Sequence, residues 1–372
     1  WAAVKIISES VASLPCFVYK RRPDGKGKDK QLNNPLHRLL HNQPNPWQTS
    51  FEWRDMMQGH LCLRGNAYSE ILYDGRGGIR ALIPRHPDRM RVYDISNEAI
   101  GEQPLVYEYQ PAVGPARFLF ADEVLHLKGM SDDGLVGLSP IHEFRETLGL
   151  AIGTESYAAR FFGNNANPGG VLTHPKTLSA PAIERLRSQW GQRHQGVESA
   201  HQFTILEEGM TWTAVGINPK DSQLIDSRKF SVTEIARIFR VPPHMIADLD
   251  RATFSNIEQQ SIEFVVHSLR PWLVRWEQRL AAALLTPREQ ADGLLIEFNV
   301  DGLLRGDIKS RYDAYAVGRQ WGWLSPNDVR GLENMNPRDD GSGDAYHEPL
   351  NMQSSQQPAD TTPKDSPQGA TP

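Results

Sequence analysis

The sequence predicts an α+β protein built from more than one substructure. Apolar residues recur at helical spacing over residues 140–163 and 219–241, which indicates two long helices. Short alternating runs, typical of strands, gather within residues 1–139. A chain of 372 residues exceeds the size at which single hydrophobic cores stop growing. With 39% hydrophobic and 23% charged residues, its composition is that of an ordinary globular protein.

Residues 1–139 combine a helix with strands. The stretch WAAVKIISESVASL predicts a helix ended by Pro15. Its apolar face is expected to comprise Trp1, Val4, Ile7, Val11 and Leu14. NAYSEILYDGRGGIRALIP predicts a hairpin around Asp74-Gly75, and LVYEYQ, RFLF and VLHLKG continue the strand pattern. The basic run YKRRPDGKGKDK at 19–30 predicts a solvated hairpin tip, with a binding patch as the alternative.

Two helices of matching length flank a small insert. Ser139 and Pro140 predict an N-cap followed by a helix over 140–163, about 36 Å long, and the helix over 219–241 would be about 35 Å long. Their apolar stripes are Ile141, Phe144, Leu148, Ile152, Ala159 and Phe162, and Leu224, Ile225, Phe230, Ile235 and Ile238. Between them, GNNANPGGVLTHPKTLSAP predicts a break, IERLRSQWGQRH a short helix, and FTILEEGMTWTAV two strands around Glu208-Gly209.

A long polar connection follows the second of these helices. Helix–helix connections in compact domains usually have about two to eight residues, and longer ones tend to be functional or disordered. FRVPPHMIADLDRATFSNIEQQ therefore predicts a loop at 242–254 that contacts another molecule. Its candidate contact residues are His244, Met245, Asp248, Asp250 and Arg251.

The rest of the chain predicts one more long helix, a strand and a helical unit. Ser255 and Glu258 form a capping signal for a helix that runs to about Leu285, with a kink at Pro271. Its stripe is Ile257, Phe264, Val265, Leu269, Trp272, Trp276, Leu280 and Leu284, and we interpret the two tryptophans as core or subunit contacts. GLLIEFNVD predicts a strand that returns to the first region. Ser325-Pro326-Asn327-Asp328 predicts a capped helix, and 351–372 a disordered tail.

Several function classes find no support in the sequence. The formal charge of −5 argues against a protein that grips nucleic acid, since such domains are usually basic. G-x-x-x-x-G-K-[ST], G-x-S-x-G and H-E-x-x-H are missing, so we expect no enzyme and no cofactor. The carboxylates of Glu143, Glu146 and Glu155 fit an exposed helix face better than a catalytic pair. RDDGSGDAYHE departs from EF-hand spacing and predicts a turn rather than a metal site.

The cysteines and the hydropathy of the sequence indicate the kind of cellular compartment in which the protein is expected. Cys16 and Cys62 are far apart in sequence, so neither a disulfide framework nor a zinc site is indicated and a reducing compartment is expected. No apolar run approaches the ~18 residues of a membrane span. Because the chain begins at Trp1 rather than Met, we expect that an N-terminal piece precedes this sequence.

An ordered set of motifs over residues 1–350 resembles the portal protein family of tailed bacteriophages, in its short siphophage-type branch. The motifs are WAAVKIISESVASLPCFVYKR, PLHRLLHNQPNPWQTSFEWRDMM, LRGNAYSEI, DGLVGLSPI, FFGNNANPGGVL, IARIFRVPPHMI and FSNIEQQSIEFVVHSLRPWL. Each motif alone is weak, and their order and spacing carry the resemblance. The chain departs from the family by lacking the extreme N-terminus.

The resemblance implies an architecture and a function. It implies a mixed α+β wing at 1–139, stem helices at 140–163 and 219–241, a small α/β clip at 164–218 and a tunnel loop at 242–254. It further implies a kinked wing helix and return strand at 255–308 and an α-helical crown at 309–350. By the same likeness, twelve copies form a ring at one capsid vertex, and the tunnel loop faces double-stranded DNA as it is packaged and ejected.

The resemblance also implies partners and a location. The implied partners are the terminase large subunit, later the head–tail adaptor, and the major capsid protein, and no membrane is involved. The implied location is the virion and, during assembly, the bacterial host cytoplasm. We expect the clip to dock the motor through a basic surface of Arg185, Arg187, Arg193, His194 and His201, with a solvated helix face as the alternative. Another head–tail connector ring protein is one alternative function, disfavoured by length. A DNA-packaging enzyme is another, disfavoured by the missing phosphate loop.

Overall fold

The structure is a computed structural model that combines helices with antiparallel sheets, as the sequence predicts for an α+β protein. It describes residues 1–23, 27–95, 105–163, 170–185, 188, 209–214, 221–247, 254–300, 308–333, 335–338 and 340–347. The chain divides into a first unit, Trp1–Val300, and a second unit, Asp301–Pro372. The predicted tail at 351–372 lies outside the described residues.

The described part of the first unit contains nine labelled helices. They are α1 Ala2–Ser13, α2 Pro35–His37, α3 Ser50–Arg64, α4 Pro140–Glu143, α5 Arg145–Gly163, α6 Asp221–Phe239, α7 Phe254–Glu263, α8 Arg270–Leu284 and α9 Pro287–Ala291. π-Helical segments follow α2 and α7 at Arg38–Asn42 and Phe264–Leu269. Single turns of 3₁₀ helix lie at Pro87–Arg89, Ala121–Glu123 and Pro243–Ile246, and residues 180–185 are helical.

Among the residues that the structure describes, eleven strands form four small antiparallel sheets. The strands are β1 Cys16–Arg21, β2 Lys28–Lys30, β3 Asn66–Tyr73, β4 Ile79–Arg85, β5 Met90–Asp94, β6 Leu105–Tyr109, β7 Arg117–Phe120, β8 Val124–Lys128, β9 Gly170–Thr173, β10 Thr211–Ala214 and β11 Leu294–Phe298. Their orders are β11-β1-β2, β4-β3-β8, β5-β6-β7 and β10-β9. The pairing of β11 with β1 confirms the predicted return strand.

The core of the first unit joins its two ends through α3. Trp53, which is fully buried, donates from Nε1 to Ser69 Oγ at 3.0 Å and so ties α3 to β3. Trp276 of α8 donates from Nε1 to Gln58 Oε1 at 2.8 Å, and the two indoles meet edge to face at 5.5 Å. The guanidinium of Arg54 donates to the carbonyls of Leu40 and Ala12. These bonds hold α8 against the N-terminal region, and they place Trp276 in the core as predicted.

The strand and hairpin predictions in the first region are mostly confirmed. β3 and β4 form the hairpin around Asp74-Gly75, and β1 pairs with β2 in an exposed hairpin, as expected for the basic run. Trp1, expected on the buried face of α1, is instead 83% exposed because it precedes the first helical residue and has no side chain packed over it. β5 was not predicted.

Three predictions in the middle of the chain need correction. The helix expected over 140–163 is interrupted at Phe144, which leaves helical geometry with φ −104° and ψ 24° between α4 and α5. The stretch expected to be a break contains β9, which pairs with β10 across the insert. The other strand predicted there, at 203–207, lies outside the described residues. The helix predicted to run from Ser255 to about Leu285 with a kink at Pro271 contains, before that proline, the π-helical segment, in which Arg270 N–H donates to Val265 C=O.

The second unit contains, over its described residues, two helices, α10 Ile308–Gln320 and α11 Pro326–Leu332. Ser325 caps α11 through a reciprocal capping box with Asp328, as the sequence predicts. Arg311 of α10 forms a two-point ion pair with Glu333 at 2.8 and 3.0 Å, and Tyr315 donates to the same carboxylate. These contacts fix α10 against the end of α11.

Candidate functional site

The two long helices α5 and α6 pack against each other and have 19 residues each, so they match the predicted pair of equal helices. The buried face of α5 uses small side chains: Ala158 is 4% exposed, and Ala151 is half-buried. Small residues at this seam allow a close approach of the two helices.

Large apolar side chains lie on both flanks of the buried face of α5. Leu150 and Tyr157 are 69% and 51% exposed, and seven-residue spacing places them on one side of the helix. Ile152, 65% exposed, lies on the other flank of the buried face, and Phe144, which precedes the helix, is 43% exposed. Of the predicted apolar stripe, Phe144, Ile152 and Ala159 are exposed within one chain, and Ile141 and Leu148 are half-buried. The helix presents two unlike apolar patches.

The end of α6 is built around a left-handed arginine. Arg240 has φ 53°; its N–H donates to the Arg237 carbonyl at 3.1 Å, and the Val241 N–H donates to the Ala236 carbonyl at 2.9 Å. These two bonds form a Schellman motif, in which glycine usually occupies the left-handed position. Val241 and Ala236 are 3% and 1% exposed, so the apolar contact that accompanies the motif is present.

The beginning of the predicted loop is an ordered turn. Met245 N–H donates to the Pro242 carbonyl at 3.0 Å within the 3₁₀ turn Pro243–Ile246, and Ala247, with φ 66°, ends that turn. His244 Nδ1 lies 2.8 Å from Gln260 Oε1, which ties the turn to α7. Two non-glycine left-handed residues thus bracket the start of the connection, and such backbone geometry is concentrated at functional segments.

The π-helical segment Phe264–Leu269 lies across from the end of α6. Ser268, 7% exposed, donates from its hydroxyl to the Arg240 carbonyl. An open groove of about 520 Å³ runs between α6 and this segment, and its wall includes Thr233, Ala236, Val241 and Phe264. π-Helical turns often occur at functional sites, so this junction is a candidate for one.

The predicted loop residues are only partly described. His244 and Met245 are half-buried in the 3₁₀ turn. Asp248, Asp250 and Arg251 lie outside the described residues, so their approach to a channel remains a prediction.

The predicted clip surface is also only partly described. Arg185 is exposed and donates from Nε to the Pro181 carbonyl at 3.4 Å. Arg187, Arg193, His194 and His201 lie outside the described residues. The basic docking surface therefore stays a prediction.

Three further properties of the described residues concern metals, thiols and membranes. Among the described residues, no group of three or more His, Cys, Asp or Glu side chains could hold a metal ion. Cys16 and Cys62 are buried and free, and burial raises the pKa of each thiol to about 12. Within the described part of the chain, each helix falls short of the length and apolarity needed to cross a membrane. Glu143, Glu146 and Glu155 are exposed, as predicted.

Sequence reasoning missed the junction of Arg240 and Ser268. The residue after α6 is followed by Val241 and two prolines, which indicates where the helix ends but not that an arginine adopts left-handed geometry. Ser268 lies within a helical pattern, and its bond to Arg240 spans 28 residues of sequence. Only the long-range packing of α6 against the π-helical segment identifies this pair.

Comparison with known proteins shows similarity along nearly the whole chain. A family model described as "Phage portal protein" matches residues 1–334. The portal protein of Enterobacteria phage HK97 is 36% identical over 343 residues, which cover 91% of this chain and 78% of that protein. The probable portal protein of Streptomyces phage phiC31 is 34% identical over 370 residues, covering 95% and 77%.

The fold is similar to that of a solved particle component. A chain in the neck of a native gene transfer agent particle, computed with C12 symmetry, aligns with a TM-score of 0.60. It is 24% identical, and the alignment covers 90% of this chain and 89% of that one. At this identity the likeness bears on the fold alone.

Proposed function

Because the chain belongs to the phage portal protein family, we propose that it assembles into a closed ring around a channel at one vertex of a phage capsid. In this proposal, double-stranded DNA enters through the channel during packaging and leaves through it during ejection. The function is structural, since the ring supplies a conduit and a docking platform while a separate motor supplies the energy.

The single observation that best supports assembly into a ring is the pair of unlike apolar patches on α5. A ring of identical subunits needs a heterologous interface, in which one patch on each copy contacts a different patch on the next. Leu150 and Tyr157 form one patch, and Ile152 lies on the opposite flank of the helix, all between 51% and 69% exposed. Burying each such side chain would contribute about 1.5 to 3 kcal/mol, so repeated contacts of this kind stabilise a closed ring.

Twelve copies are favoured, and the virion is the proposed location. The neck of the native gene transfer agent particle was computed with C12 symmetry, and the similar fold of its chain makes twelve copies the favoured number for the proposed ring. Twelve copies at −5 would carry 12 × −5 = −60 charges. A net negative ring limits the counterion release that would hold DNA in place, so it suits a sliding conduit.

The proposed subdivision of the subunit follows the predicted boundaries. Residues 1–139 would form the wing, 140–163 and 219–241 the stem, 164–218 the clip and 309–350 the crown. The loop at 242–254 would face the DNA, and 255–308 would carry the chain back through the wing. The short β9–β10 sheet within 164–218 supports a separate small insert between the long helices.

The proposed partners act at the two ends of this subunit. The clip would dock the terminase large subunit during packaging and the head–tail adaptor afterwards, and the wing would contact the major capsid protein. Assembly would take place in the host cytoplasm. Charge reversal at Arg187 and Arg193 is expected to weaken binding of the motor, measured by pull-down of purified components. Unchanged motor binding would show that Arg187 and Arg193 do not belong to the surface that docks the motor.

Assembly tests the proposed function directly. Native mass spectrometry and end-on negative-stain images of the full chain are expected to show closed rings, with twelve copies predominating. Leu150→Glu introduces a charge into the proposed interface and is expected to leave monomers, whereas Leu32→Glu, at a position 59% exposed elsewhere, is expected to leave rings intact. Monomers alone over a wide range of salt and protein concentration would overturn the ring.

A further inference from the structure

The helical segment that follows the loop exposes an apolar ridge. Ile262 of α7 and Val266 of the π-helical segment are 47% and 49% exposed and lie one turn apart. Neither residue lines the groove between α6 and this segment, whereas their neighbours Gln260, Phe264 and Ser268 do. The ridge therefore lies on the side of the helix that faces away from the groove.

The groove has an apolar floor and a charged rim, to which Glu263 and His267 also contribute. Ala236, Val241 and Phe264 are 1%, 3% and 4% exposed, and they form the floor with the rings of Pro242 and Pro243. The guanidinium groups of Arg237 and Arg240 lie at the rim; Arg237 pairs with Glu234, and for Arg240 no ion pair is formed with any residue that the structure describes. The site thus offers space for about two aliphatic side chains beside a positive charge.

We propose that the ridge of each subunit, Ile262 and Val266, docks into the groove of the next subunit around the ring. The inference rests on the proposed ring and assigns it a second, residue-level contact near the start of the DNA-facing loop. Ridge and groove lie on opposite sides of one helical segment, as a repeating heterologous contact requires. Charge complementarity is compatible with the same occupant, because exposed Glu263 lies between the ridge and the groove of its own chain, and docking would bring its carboxylate towards Arg240 of the neighbouring groove.

The contact can be blocked from either side. Val266→Asp places a carboxylate on the ridge, and Thr233→Trp, at an exposed groove position on α6, fills the groove. Each variant is expected to raise the concentration of half-assembly at least about a hundredfold, measured by native mass spectrometry and sedimentation. Val113→Asp, at a loop valine 91% exposed, is the matched control and is expected to assemble as wild type. Ile262→Asp tests the same ridge one turn away if Val266→Asp does not fold.

A mixture of the two variants provides the decisive result. The ridge-blocked chain keeps an intact groove and the groove-blocked chain keeps an intact ridge, so the mixture can form one contact but cannot close a ring. Stable 1:1 heterodimers, with neither variant dimerising alone, are expected. The ridge contact would be overturned if the wild type formed rings and both ridge variants assembled equally well. It would also be overturned if the mixture gave no heterodimers. Either result would leave the proposed function standing. A wild-type protein that stays monomeric would overturn both.

Discussion

Ser268 donates a hydrogen bond from its hydroxyl to the backbone carbonyl of Arg240, the left-handed residue that ends α6. The bond joins the end of one long helix to the π-helical segment before α8, and α8 is anchored in the core through Trp276 and Gln58. The start of the connecting loop is therefore held from both sides. A rigid base of this kind suits a loop that must keep its position while another molecule moves past it.

The first prediction concerns this bond. Ser268→Ala removes the donor and leaves a carbonyl without its partner in a nearly buried position, so the free energy of unfolding is expected to fall by about 1 to 2 kcal/mol. Urea denaturation of the dissociated subunit measures this change in the free energy of unfolding. Ser13→Ala, which removes an exposed bond to the Ser10 carbonyl, is the control and is expected to change stability by less than about 0.5 kcal/mol. Equal losses in the two variants would contradict a special role for Ser268.

A second prediction separates the backbone of Arg240 from its side chain. A left-handed conformation costs a non-glycine residue about 1 to 2 kcal/mol, and glycine avoids that strain at an entropic cost of about 0.5 to 1 kcal/mol. Arg240→Gly is therefore expected to raise the free energy of unfolding by up to about 1 kcal/mol. Arg240→Ala keeps the strain and is expected to give no such gain, as chemical denaturation can show. A stability gain in the alanine variant alone would mean that the guanidinium, not the backbone, is unfavourable.

Local signals made much of the fold predictable. Ser139 with Pro140, and Ser325 with Asp328, were identified as helix starts because capping depends on neighbours within one turn. The hairpin around Asp74-Gly75 was predictable for the same reason. β9 was not, because its Gly- and Pro-rich surroundings indicate a break and its partner, β10, lies some 40 residues further along the chain.

The candidate site was less predictable than the fold. The length and composition of the loop located the region, yet the left-handed Arg240, its bond to Ser268 and the groove depend on packing between helices distant in sequence. The apolar stripe of α5 was identified from its period, but period alone does not distinguish a core face from an interface. Exposure of Leu150 and Ile152 provides that distinction.

A third prediction concerns acid stability. Burial, together with the nearby charges of His86 and Arg64, lowers the pKa of His60 from 6.5 to about 4, against the opposing effect of Asp88. In the unfolded chain His60 takes up a proton near pH 6.5, whereas in the folded chain it does so only near pH 4. The contribution of His60 to the free energy of unfolding is therefore intact above pH 6.5 and is lost as pH falls towards 4. The slope is up to about 1.4 kcal/mol per pH unit for this residue.

His60→Gln should reduce that dependence. Unfolding free energies at pH 7, 6 and 5 are expected to fall less steeply for the variant than for wild type. Burial also lowers the pKa of His126 well below its usual value, so a smaller slope of the same sign should persist in the variant. Identical slopes for the two proteins would show that His60 is protonated equally in the folded and unfolded states.

The last prediction returns to the loop and to DNA. Replacing Asp248 and Asp250 by Lys changes each copy by four charge units, and twelve copies by 12 × 4 = 48. If these residues face the duplex, each new phosphate contact adds a counterion-release contribution with a salt slope near −0.9, so DNA should bind to the channel. We expect rings of normal size that package DNA slowly at low salt and recover partly as ionic strength rises, measured in a packaging assay with purified motor. The matched control is Asp122→Lys with Asp132→Lys, which gives the same charge change at exposed positions in the first region and is expected to package normally. Normal packaging at low salt by the loop variant would show that these two side chains do not face the DNA, and a defect shared with the control would attribute the effect to net charge rather than to position.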